Sequence, residues 1–299
     1  METITVSKKQ DVPISTRIKS KPSWTIYNKR IKIVDKSNKT VAIFLKNEIK
    51  DQFLLDAGRD LERYAMVSTL RTQSAGIKKV TTLNDKTFKV ANPVMSSIVG
   101  YAGPSNFHPC RKTVLYNKHA KHFDTITVKL LQKLSKLFKQ YAPKQYAIQK
   151  KFVNSINQHM LLKDTVYTTA TVNKDFRTLS HRDKGDYDSG LGNLMVFDYT
   201  KGYCRKHIND NGYPKHKFNE CPNNKNKKSF SGGEFLLPEF KIGFNMQEGD
   251  VLFVDVHSIH CNNPISGKGR VSLVCYARTD IQDRCKGLSK TQLENFTSF

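Results

Sequence analysis

Nowhere in the 299 residues do about 18 apolar side chains follow one another, so no membrane-spanning helix is expected. Acidic residues are also scarce, with 26 Asp and Glu against 50 Lys and Arg and a formal charge of +24. That imbalance favours a polyanionic partner, and nucleic acid is the commonest large polyanion inside a cell. A lysine- and asparagine-rich coding bias would give the same charge, so composition alone makes only a modest argument. Cysteine is sparse too. Six scattered cysteines form no paired framework, which predicts free thiols in a reducing compartment. The opening Met1–Lys9 has no apolar core, so a secretory signal is not expected and the anticipated location is intracellular, nuclear or cytoplasmic. No internal repeat is present, which excludes a solenoid.

What is present divides into a helical part and a strand-rich part. Residues 1–24 are polar, basic and aperiodic, and read as a flexible basic arm ahead of one domain over residues 25–299. Ile31–Val34 and Thr40–Leu45 read as strands around a turn. A helical pattern begins at Asn47, with Ile49, Phe53, Ala57, Leu61 and Tyr64 near one face. Leu70–Gly76 reads as a loop, and residues 91–110 hold too many Pro and Gly for a long element. Phe123, Ile126, Leu130, Leu134, Leu137 and Tyr141 keep one helical stripe that Pro143 should stop, and a second helix is expected over Gln145–Met160. Residues 111–151 hold eleven Lys or Arg against Asp124 alone. A solvated helix face explains each of them singly; together they are a candidate phosphate track.

After Lys163 come short segments rich in Val, Thr, Phe and Tyr: Thr165–Asn173, Asn193–Tyr199, Glu234–Phe244, Val251–Val256 and Val271–Tyr276. Helices followed by many short strands predict an α+β fold, a jelly roll with flanking N-terminal helices. A polar insertion at about 201–231 carries Cys204, His207, His216 and Cys221, ligand types suited to zinc. Their spacing fits no standard finger, and an irregular basic loop is the favoured reading.

The chemistry-bearing residues lie between Leu179 and Arg278. His181 and Asp183 are two apart, so on an extended segment they project to the same side. With one further imidazole they would make a facial triad with open positions on Fe(II). The strand pattern Gly249–Val256 delivers His257 and His260 to its end. His260 is favoured as the third ligand, because it leaves the strand room to finish and Arg270 follows ten residues later. His257 is the rival, otherwise a residue beside the site. Arg270 opens the next strand, where a guanidinium can grip a carboxylate in bidentate fashion.

This order of motifs, His181-x-Asp183, then Gly232-Gly-Glu-Phe-Leu-Leu-Pro238, then Gly249-Asp-Val-Leu-Phe253, His260 and Arg270, resembles the 2-oxoglutarate/Fe(II) dioxygenases. More narrowly it resembles their TET/JBP branch, which oxidises the methyl group of 5-methylpyrimidines in nucleic acid. Arg71–Gly76 and Thr168–Asn173 are similar to that branch as well. The resemblance spans roughly residues 33–278 and implies a double-stranded β-helix, Fe(II) held by His181, Asp183 and His260, and 2-oxoglutarate held by Arg270. It implies oxidative decarboxylation of 2-oxoglutarate with dioxygen, a nucleotide flipped into the site, and DNA as the expected partner. It also implies base contacts from Asp186, from an amide matched by Gln73 where Asn is expected, and from Arg278 where His is expected. The two departures leave 5-methylcytosine and thymine both open. Two rival functions remain: a prolyl or lysyl hydroxylase using the same chemistry, and a nucleic-acid-binding protein with a non-catalytic iron site.

Overall fold

Along Gly192–Asp198 every residue is buried, and alternation decides which layer each side chain enters. Leu194 and Val196 join one apolar cluster, Met195 and Phe197 another. The same period of two runs through the neighbouring strands. Phe44, Leu252 and Val254 share the first cluster, while Ile43, Phe253 and Leu273 share the second. Strands covered on both faces read as near-continuous apolar runs, which is why they were legible as strands without a polar face. The structure is a computed structural model describing residues 1–83, 86–104, 109–208, 214–221, 229–282 and 284–295.

The major sheet runs in the order Glu2–Val6, Ile31–Asp35, Thr40–Leu45, Val251–Val254, Gly192–Asp198, Arg270–Tyr276, Thr169–Lys174, Val94–Ala102, Val67–Ser68. A second sheet, ordered Cys261–Asn262, Phe235–Leu237, Ile242–Phe244, Thr25–Tyr27, covers the face carrying Phe44 and Leu252. Helices Gln52–Asp60, Val128–Tyr141 and Pro143–Ser155 cover the other through Leu54, Leu134, Phe138 and Phe152. Two facing sheets with helices outside one of them form the expected double-stranded β-helix.

Several local expectations are corrected. Residues 1–24 are not a free arm. Glu2–Val6 pairs in parallel with Ile31–Asp35, the Ser15 amide donates to the Ser180 carbonyl at 2.6 Å, and Trp24 is buried against Leu236 and Cys261. The first helix starts at Gln52 rather than Asn47, because the Glu48 and Ile49 amides donate to the Gly249 carbonyl and Asp51 caps the Leu54 amide. Leu54 is therefore buried and Phe53 exposed. Leu70–Gly76 contains a short helix, Thr72–Ala75. Residues 91–110 contain a nine-residue strand, Val94–Ala102, since Pro93 precedes it and Gly100 accommodates a φ of 116° within it. A Cβ at Gly100 would meet the Thr168 carbonyl oxygen at 2.4 Å, so close strand packing explains that glycine. Pro143 opens the second helix, where its missing N–H costs nothing. The strand expected over Glu234–Phe244 is a hairpin turned at Pro238–Phe240, with Lys241 in the left-handed region.

One cysteine reading also changes. Cys110 and Cys285 form a disulfide across 175 residues, a separation that leaves no local spacing to recognise. Cys261 and Cys275 are free thiols and, like Cys221, are buried. Of the zinc candidates, Cys204 opposes His216 in the Tyr203–Ile208 and Pro214–Lys217 hairpin, and the side chains of Cys204 and His207 lie outside the described residues. The lysine-rich helices stand on the face of the major sheet turned away from the cavity described next, so the phosphate track expected there is remote from it.

Candidate active site

The strand Arg270–Tyr276 builds one wall of the site by alternation. Val271, Leu273 and Cys275 enter the helix-side core, so Arg270, Ser272, Val274 and Tyr276 face the space between the sheets. Arg278 continues the same spacing beyond the strand. A cavity of about 360 Å³ opens there, and the side chains of His181, Asp183 and His260 reach it from the far side.

These three are brought together by backbone pairing. The His181 amide donates to the His260 carbonyl and the His260 amide to the His181 carbonyl, both at 3.0 Å. This antiparallel pair holds the rings with centroids 4.3 Å apart. The Asp183 amide donates to the Val256 carbonyl at 3.1 Å, continuing the alignment. Asp183 Oδ1 lies 3.8 Å from His181 Nε2, and Oδ2 lies 3.5 Å from His260 Nε2. One ligand atom from each of the three falls within 4.8 Å of the others. His181 Nδ1 is hydrogen-bonded to the Leu179 carbonyl at 2.7 Å and His260 Nδ1 to the Ser258 carbonyl at 3.1 Å. A carbonyl accepts, so Nδ1 carries a proton in both rings, and Nε2 is the atom that each ring turns toward Asp183 and could offer to a metal. Phe235 stacks on His260 at 5.3 Å and fixes its ring plane. His257 is not part of the cluster; its Nε2 faces Asp188 at 3.3 Å.

Electrostatics follow from this crowding. Burial and the neighbouring His260 push the His181 imidazole down to about 4. Burial works against the ionised Asp183, but the His260 hydrogen bond and both imidazoles hold its carboxyl below the usual range. Burial likewise works against a charged His260, and Asp183 more than offsets it. Burial and the Asp183 charge raise Asp186 well above an ordinary carboxyl, and its Oδ2 is enclosed without a hydrogen-bond partner. Arg270 is 2% exposed, its Nε has no partner, and burial pushes it down to about 10 against the pull of Asp175 and Glu234. A Cβ on Gly233 would stand 3.2 Å from Arg270 Cδ and Nε, so the missing side chain leaves the guanidinium its room.

Gln73, Asp186 and Arg278 all line the same cavity. Asp186 and Arg278 sit opposite each other in an isolated antiparallel bridge, although the Arg278 guanidinium donates to Asp280 rather than to Asp186. Three further residues were missed in the sequence. Arg71 lines the cavity, with its Nε donating to Ser96 Oγ at 3.1 Å. It heads a segment already singled out by resemblance, but a loop arginine gives no signal of its own. Tyr276 presents its ring from a strand position that read simply as core. Glu239 is buried beneath the site. Its carboxylate accepts from the Ile259 amide at 2.7 Å, from Arg182 at 3.1 Å and from Lys8 at 2.7 Å. A lone acid following the buried run Phe235–Pro238 was the available clue.

A double-stranded β-helix carrying a His-Asp-His cluster beside a buried arginine defines a non-haem metal oxygenase scaffold. Residues 96–279, more than half of the chain, match the Tet_JBP family, described as the oxygenase domain of the 2OGFeDO superfamily. The chain belongs to that family. It is 28% identical over 257 residues to the bifunctional helicase and thymine dioxygenase JBP2 of Trypanosoma cruzi, covering 84% of this chain and 20% of that protein. The Leishmania infantum JBP2 is 30% identical over 251 residues, covering 81% of this chain and 18% of that protein. The thymine dioxygenase JBP1 of Trypanosoma brucei is 27% identical over 219 residues, covering 69% and 22%. The chain spans about a fifth of the length of these curated relatives. The solved structure of NgTET1 in complex with 5mC DNA superposes with a TM-score of 0.58, at 13% identity, over 100% of this chain and 90% of that one, which supports the fold.

Proposed function

We propose that the chain is a 2-oxoglutarate- and Fe(II)-dependent dioxygenase that oxidises the methyl group of a 5-methylpyrimidine in DNA, with thymine the first base to test. The observation that carries this reading is one cavity shared by a His-Asp-His cluster, whose Nε2 atoms converge on one carboxylate, and a buried arginine with an unpartnered Nε. His181, Asp183 and His260 would hold the iron. The donor set fits, because two neutral imidazoles and one carboxylate leave the open positions that oxygenase chemistry needs. Bound there, the metal with 2-oxoglutarate would supply dioxygen activation.

The remaining roles belong to the chain's own side chains. Arg270, desolvated and without a partner at Nε, would grip the far carboxylate of 2-oxoglutarate, an anion that repairs an otherwise costly buried cation. Phe235, stacked on His260, and Val254 give the cavity an apolar wall. Gln73, Asp186 and Arg278 are assigned to the base edge, where burial raises the Asp186 carboxyl and its Oδ2 is enclosed without a partner. A methyl group inside a duplex cannot reach these residues, so the nucleotide would have to leave the stack. The thymine preference rests on the dioxygenases named above.

The test is succinate release with Fe(II), 2-oxoglutarate and oligonucleotides containing thymine or 5-methylcytosine, or uracil and cytosine in their place. Methylated DNA should stimulate release and yield a hydroxymethyl nucleoside detectable by mass spectrometry. If no DNA stimulates release, or if peptide substrates do, the DNA assignment is wrong. His260→Ala should abolish iron binding while His257→Ala retains it; the reverse result would overturn the ligand set.

A further inference from the structure

Exposed large apolar side chains are concentrated in one stretch of chain. Of twelve among the described residues, six (Met66, Val67, Leu70, Ile77, Val80 and Phe88) fall within residues 66–88. The same stretch contains the antiparallel ribbon Ile77–Leu83 and Lys86–Ala91, in which Val80 opposes Lys89 and Thr81 opposes Phe88. Lys78, Lys79, Lys86 and Lys89 are all exposed on it, and Asp85 is the one acidic residue in the sequence from 66 to 91. Both faces of the ribbon are open, whereas a two-stranded hairpin alone in water is marginal and gains from a partner surface. Scattered apolar exposure needs no explanation, but concentration beside a cavity marks an interaction site.

The ribbon is anchored at the cavity wall. The Ala91 amide donates to the Thr69 carbonyl at 2.8 Å, the Asn92 amide to Gly76 at 3.0 Å, and Asn92 Nδ2 to Ala75 at 2.9 Å. These bonds clamp the short helix Thr72–Ala75, which presents Gln73 and Ser74 to the cavity. Leu70 stands just outside, 84% exposed, immediately before the cavity-lining Arg71.

We infer that residues 66–91 form the duplex-docking edge of the site, the lysine ribbon lying along the DNA and Leu70 filling the gap left by the displaced nucleotide. This rests on the reading of DNA as the substrate. Charge complementarity selects a polyanion, and a two-stranded ribbon fits the width of the major groove. Expelling a base from the stack breaks its pairing and stacking, a cost that an inserted apolar side chain offsets. Phosphates alone would call for the lysines but not for bare Leu70.

Two variants of the full chain test the inference against one sequence offered as a duplex and as a single strand. Lys78→Glu with Lys89→Glu should weaken duplex binding by at least about tenfold and flatten its salt dependence by about two contacts. Leu70→Ala should lower the yield of oxidised base on the duplex by at least about fivefold relative to the single strand, which has no stack to open. It should also lower the fluorescence of 2-aminopurine placed at the target position. Thermal melting of both variants controls for folding, and these exposed positions should melt as native. If the native chain oxidises duplex DNA and both variants match it, the docking edge lies elsewhere. If the native chain neither binds nor oxidises DNA in either form, the substrate reading fails and the inference falls with it.

Discussion

Glu239 shows how much of a candidate metal site can depend on a residue outside the ligand cluster. Its carboxylate bonds the amide of Ile259, the neighbour of His260, and the guanidinium of Arg182, which lies between His181 and Asp183. Both arms of the cluster are thus held by one buried side chain, with Lys8 completing its charge balance. Replacing the carboxylate by an amide removes charge-assisted bonds while preserving shape. Glu239→Gln should weaken iron or cobalt binding by about 10- to 100-fold, the range seen when supporting partners of metal ligands are lost. Titration with cobalt followed by its visible absorption would check this, and an unchanged affinity would reduce Glu239 to a fold residue. The two histidines make the complementary point. Each ring is already committed at Nδ1 to a carbonyl two residues before it in the chain, so ligand orientation does not wait for the ion.

At the scale of elements, Arg59 and Glu248 fasten the first helix to the major sheet. Arg59 donates from Nε at 2.9 Å and from a terminal nitrogen at 2.6 Å, and the Asp198 amide donates to the same carboxylate at 3.0 Å. Burial raises the Glu248 pKa, and the Arg59 and Asp198 bonds lower it further than burial lifts it. A carboxylate with a depressed folded value stabilises the fold above its unfolded pKa, and that contribution is lost as pH falls through the folded one. Glu248→Gln should therefore cost about 1–3 kcal/mol at neutral pH. The gap from the native protein should narrow below about pH 4. Melting curves across that range would read it. The central strands were legible because period-two burial leaves a plain record in Val, Leu and Phe. Element ends were not: Asn47 with its positive φ donates its amide to Asp250, and Gly100 packs on Thr168, partners far along the chain. In the candidate site, residue type and spacing singled out His181, Asp183 and Arg270, and all three line one cavity. Arg71 and Glu239 did not, because their meaning comes from packing against segments distant in sequence.

On the scale of the whole molecule, a charge of +24 is spread over faces with different roles. Lys129 and Lys136 are exposed on the helix behind the major sheet, whereas the cavity opens in front of it. Screening over about 8 Å at physiological salt separates two such faces electrostatically. Lys129→Glu with Lys136→Glu should leave turnover at saturating DNA within about twofold of native while weakening low-salt association. Steady-state rates at two ionic strengths would decide it, and a collapse of turnover would mean that the helices meet the substrate after all. The backbone ladder joining His181 to His260 has a consequence of another kind. Residues 182–259 begin and end at one place, like text between brackets, and the polar stretch near 201–231 belongs to that enclosed text. Gly202, Cys221 and Phe230 tie that stretch back to the fold at three points between the brackets. The two histidine arms therefore close a single length of chain on itself, and any variation inside that length is fenced from the chemically demanding centre by backbone bonds at its two ends.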